Sequence, residues 1–111
     1  MSRDPRLPRV PVDVLSYEIA QEQAVAFGRM GRALETALAR LREFDAAHLR
    51  TGAPASAQQA RRALVMEAGQ ALWMFVVQRE ACGLRDSRPV MRDYNVPAEV
   101  QHCMGAVRST V

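Results

Sequence analysis

Apolar and polar positions alternate along this chain in two long helical rhythms with a short break between them. From Asp13 to about Arg50 an apolar stripe runs through Leu15, Ile19, Phe27, Met30, Leu34, Leu38 and Leu41, with Leu49 near the end, mostly three or four positions apart. That spacing puts them on one face of a helix. A second stripe beside it, Ala20, Ala24, Gly28 and Gly31, is small enough to let another helix come close. Two glycines inside a helix cost about 1 kcal/mol each relative to alanine, so they predict either tight packing or a bend. Thr51-Gly-Ala-Pro-Ala-Ser56 breaks the rhythm. A second helix is expected from about Ala57 to Cys82, with Ser56 and Gln59 as a capping box and Gly83 as a left-handed stop.

Within the second helix, "ALWMFVV" (Ala71–Val77) is apolar on every side and runs directly into Gln78-Arg79-Glu80. A helix apolar all round must be covered all round. The region beyond Gly83 reads as two short helices. Pro89 fits the first turn of "PVMRDY", Asn95 makes a turn, and Pro97 opens "PAEVQHCMGAV". The predicted fold is all-α: a long helical hairpin, about 13–50 and 57–82, with two short C-terminal helices packed at its base. Residues 1–12 form a flexible leader, 13–105 one helical domain and 106–111 a fraying tail.

Helix length then bears on assembly. A straight helix over 13–50 would span about 57 Å. A compact domain of this size is only about 26 Å across. Either the first helix bends at Gly28–Gly31, or the hairpin is extended and pairs with a second copy. A twofold dimer is the commonest such solution. Trp73, Met74, Phe75, Val76 and Val77 are the candidate interface residues.

Composition changes the picture little. The 111 residues are 49% hydrophobic and 24% charged, with a net charge of +3. All fifteen basic residues are arginine. Arginine suits planar anions, yet the charges are spread along the chain and form no basic stripe of the kind that tracks nucleic acid. The first twelve residues lack the apolar core of a signal peptide, and the longest apolar run is far too short for a membrane span. A cytoplasmic protein is expected.

Candidate chemistry is sparse. Cys82 and Cys103 lie in apolar helical settings and belong to no metal-binding spacing. No serine neighbours a histidine, and His102 and Cys103, adjacent on one helix, cannot face each other. No catalytic residue, metal or cofactor is assigned. The charged residues Glu18, Arg79, Glu80, Arg85, Asp86 and Asp93 form a candidate polar network. It reads as ion pairs orienting the C-terminal helices, or as an anion pocket built on Arg79, Arg85 and Arg92. Residues 89–107 have the layout of a helix-turn-helix, which makes a small DNA-binding regulator the alternative. Asp93 and Glu99 would repel phosphate there, which argues against nucleic acid as a partner.

Three segments, "VLSYEIAQE" (14–22), "ALWMFVVQREACGLRD" (71–86) and "RDYNVPAEV" (92–100), resemble an uncharacterised family of short, mainly proteobacterial helical proteins. Asn95 stands where that pattern expects glycine, and asparagine tolerates the left-handed turn. The resemblance implies no activity. The expected role is a non-enzymatic cytoplasmic interaction protein acting as a homodimer.

Overall fold

The computed structural model describes residues 12–48, 52 and 54–109, and the side chains of 13–48, 52 and 54–104. Helix α1 spans Val12–His48, α2 Ala55–Ala81, α3 Arg88–Asp93 and α4 Ala98–Ser109. Among the described residues there is no strand, so the chain is all-α: an antiparallel hairpin of α1 and α2, with α4 laid along α2. Residues 1–11 of the expected leader and residues 110 and 111 lie outside the described part.

The helices begin and end for local reasons, and the expected capping box at Ser56 is corrected. Helix α1 already includes Val12, so Asp13 sits in the first turn, where its carboxylate complements the exposed N–H groups. Helix α2 starts at Ala55, with Pro54 in the cap position and no side-chain cap. The ring of Pro54 fixes φ at −64°, and its carbonyl accepts from the Gln58 N–H at 3.0 Å. Ser56 therefore falls inside the helix and caps nothing. At the other end α4 runs to Ser109.

Two stops are as expected. Gly83 has φ 88°, Leu84 N–H donates to the Arg79 carbonyl at 2.9 Å, and Gly83 N–H to that of Glu80 at 3.0 Å. Asn95, with φ 51°, repeats the arrangement: Val96 N–H to Met91 carbonyl at 2.9 Å, Asn95 N–H to Arg92 at 3.2 Å. This paired bonding closes a helix by satisfying its last free carbonyls. Here it turns the chain twice, which aims α4 back along α2.

The core lies where the three long helices meet. Leu34, Leu38 and Leu41 from α1 pack against Val65, Ala68, Leu72, Phe75 and Val76 from α2, closed by Val90, Val96 and Val100. Phe75 is its hub, meeting Phe27 edge-on at 6.2 Å and Tyr94 at 5.5 Å. Helix α1 passes through Gly28 and Gly31 without interruption. Gly31 is needed for close approach: a Cβ there would lie 2.6 Å from the Tyr94 hydroxyl. Gly69 serves the same end between α2 and α4, where a Cβ would lie 3.0 Å from Cys103 Sγ.

Candidate functional site

The hairpin is unequal. Phe27 faces Phe75, and α2 ends six residues later at Ala81. Run antiparallel, that register brings the end of α2 level with about residue 21 of α1. The first nine residues of α1 therefore project as an arm ~13 Å long, with no helix beside it. Residues 13–20 are all exposed. Leu15, Ile19 and Val25 are 45%, 56% and 62% exposed, more than an apolar residue on a packed helix shows.

Below the arm, an apolar groove of about 510 Å³ runs between α1 and α2. Met30, Ala33 and Ala37 line one wall, Ala71 and Met74 the other, with Arg29 and Glu67 among its polar edges. Leu15, Ile19, Ala26, Met30, Ala33 and Ala37 follow one another at steps of three, four or seven. The bare side of the arm and the α1 wall of the groove are therefore one continuous stripe.

The "ALWMFVV" stretch divides between these surfaces. Phe75 and Val76 are buried in the chain's own core, which corrects their expected place in an interface. Phe75 points at α1, and Val76 stands on the side of α2 where α4 packs, so neither is free for a second subunit. Trp73 is half-buried. Met74 and Val77 remain 45% and 42% exposed, because no second element covers that side of α2.

The expected polar network is not assembled. Glu18 lies on the projecting arm, away from Arg79 in the hairpin register. Arg79 reaches the loop after α2 and donates from Nη2 to the Asp86 carbonyl at 3.2 Å, while its buried Nε has no partner. The Asp86 carboxylate accepts from the Arg88 backbone N–H at 3.0 Å and from its guanidinium at 2.9 Å. Those bonds hold the Asp86 carboxyl down at about 2. Asp93 pairs only with its neighbour Arg92, at 3.2 Å. Glu80 and Arg85 are exposed. Chain direction explains the outcome: these charges are divided among α1, the end of α2, the loop after Gly83 and α3. What forms is one local clasp around Asp86.

A polar cluster that no sequence pattern flagged sits at the opposite end. Arg61 donates to Asp45 at 2.7 Å and to Glu99 at 2.6 Å, tying α1, α2 and α4 together. Its guanidinium holds both carboxyls below their usual range. The three residues lie 16 and 38 positions apart, so only the fold brings them together. The 89–107 segment forms α3, a turn and the greater part of α4, and the Glu99 of α4 is occupied by this clasp.

Both cysteines are free and half-buried. Cys103 lies against the Met66 sulfur at 2.9 Å, and burial pushes its thiol up. Among the described residues no group of three or more His, Cys, Asp or Glu could hold a metal ion, and no helix is long and apolar enough to cross a membrane.

Fold and surface together define a class: an uneven α-helical hairpin with a folded-back C-terminal helix and an open apolar stripe on one side. The chain belongs to a family of unknown function, DUF6665, whose model matches residues 6–111. No curated protein and no solved structure gives a significant match.

Proposed function

We propose that this is a non-enzymatic interaction protein that works as a homodimer in the cytoplasm. One observation carries the reading: an arm of α1 bears Leu15 and Ile19 to solvent and continues into an apolar groove. Exposed apolar stripes of this continuity are characteristic of protein–protein contacts. The most common closed arrangement for identical chains is twofold. Two free thiols suit a reducing compartment, which cell fractionation would check.

Sedimentation equilibrium tests the assembly. At micromolar concentration the protein should sediment at twice the 12.3 kDa chain mass. Ile19→Glu should sediment as a monomer and keep its helical circular dichroism, because Ile19 is more than half exposed and lies outside the buried core. A wild-type monomer with a normal cooperative melt would overturn the proposal.

A further inference from the structure

The stripe has a size and charge pattern that specifies how its partner lies. Its arm half carries Leu15 and Ile19, and its groove half carries Met30 nearest the centre, then the small Ala33 and Ala37. Ala26 sits midway, seven residues from Ile19 and seven from Ala33. Glu22 and Arg29 flank it, and among the described residues neither makes an ion pair.

We infer that the occupant of the groove is the α1 arm of a second copy, running antiparallel about a twofold axis through Ala26. This rests on the homodimer reading and adds its register. With Ala26 on its own counterpart, Ile19 falls on the exposed Ala33 of the partner subunit and Leu15 comes level with Ala37 of the partner subunit, which is buried at the floor of the groove. Large side chains therefore meet small ones at both ends, the condition for helices to approach closely. Glu22 comes within one residue of the level of Arg29 of the partner subunit. Symmetry repeats that pair, so two ion pairs bracket the axis. A parallel arrangement would set Glu22 beside Glu22 and Arg29 beside Arg29, and would place each arm on the other arm, leaving both grooves empty.

Charge exchange tests the register. Glu22→Arg and Arg29→Glu are exposed changes that leave the monomer helical. Each alone places like charges at both sites and should weaken self-association about tenfold, an effect that shrinks with added salt. Mixed one to one, the two variants should form a heterodimer with wild-type affinity, because every facing pair is again opposite. The Glu22→Arg/Arg29→Glu double variant should also recover. If wild-type protein dimerises but the single variants associate as well as it does, or their mixture does not recover, the register is wrong and the homodimer stands. If wild-type protein is a monomer, the stripe serves a different protein and both readings fall.

Discussion

Changing three glycines to alanine would make the same chemical change at three helix interiors, and the structure assigns the results opposite signs. Removing glycine from a helix interior stabilises by about 1 kcal/mol, since alanine has less backbone freedom to lose. At Gly28 a new Cβ meets only the guanidinium of Arg32, at 3.1 Å, the far end of a side chain that can swing away. Gly28→Ala should therefore stabilise by close to the full amount. At Gly69 the new methyl would sit 3.0 Å from Cys103 Sγ, 3.1 Å from its Cβ and 3.3 Å from its backbone carbon. A backbone atom cannot step aside, so α4 as a whole must move. Overpacking of that kind costs about 1–3 kcal/mol. The propensity gain offsets part of this, leaving Gly69→Ala neutral to about 2 kcal/mol destabilised. The two variants should thus differ by about 1–3 kcal/mol. Urea unfolding at one fixed protein concentration reads the difference as a shift in midpoint at constant slope. If Gly69→Ala were as stabilising as Gly28→Ala, α2 and α4 would not be in the close contact described.

Two further outcomes follow from the same contacts. Gly31→Ala should destabilise by about 1–2 kcal/mol, because a Cβ 2.6 Å from the Tyr94 hydroxyl forces that ring out of its edge-on contact with Phe75; Tyr94→Phe should relieve most of that in the double variant, and additivity of the two changes in a double-mutant cycle would refute the contact. Arg61→Met should cost about 1 kcal/mol near neutral pH, a modest figure because Asp45 and Glu99 are 42% and 47% exposed and screened by water. Both carboxyls are lowered in the folded state, so this stabilisation is present above the unfolded values of about 3.9 and 4.3 and is lost as pH falls through the folded ones. The gap between wild type and Arg61→Met, measured by urea unfolding, should be flat from pH 6 to 8 and shrink below about pH 4; a gap that widens in acid would contradict the clasp.

Much of the architecture is decided by short-range pattern. The three-and-four spacing of Leu34, Leu38 and Leu41 is enough to make one long helix with a buried face. Gly83 and Asn95 are legible as stops because each must adopt a left-handed backbone that few residues tolerate. Only the tertiary structure determines which apolar residues stay bare. "ALWMFVV" is equally oily at Val76 and Val77, yet the first is buried at 6% exposure and the second stays 42% exposed. The projecting arm follows from the difference in length between α1 and α2 once their register is set by Phe27 and Phe75. The Asp45–Arg61–Glu99 clasp is likewise invisible in sequence, because ionic contacts depend on distance in space and leave no period along the chain. Hydrophobic rhythm is a property of one helix, which a sequence can carry; exposure and charge pairing are properties of two or more, which it cannot.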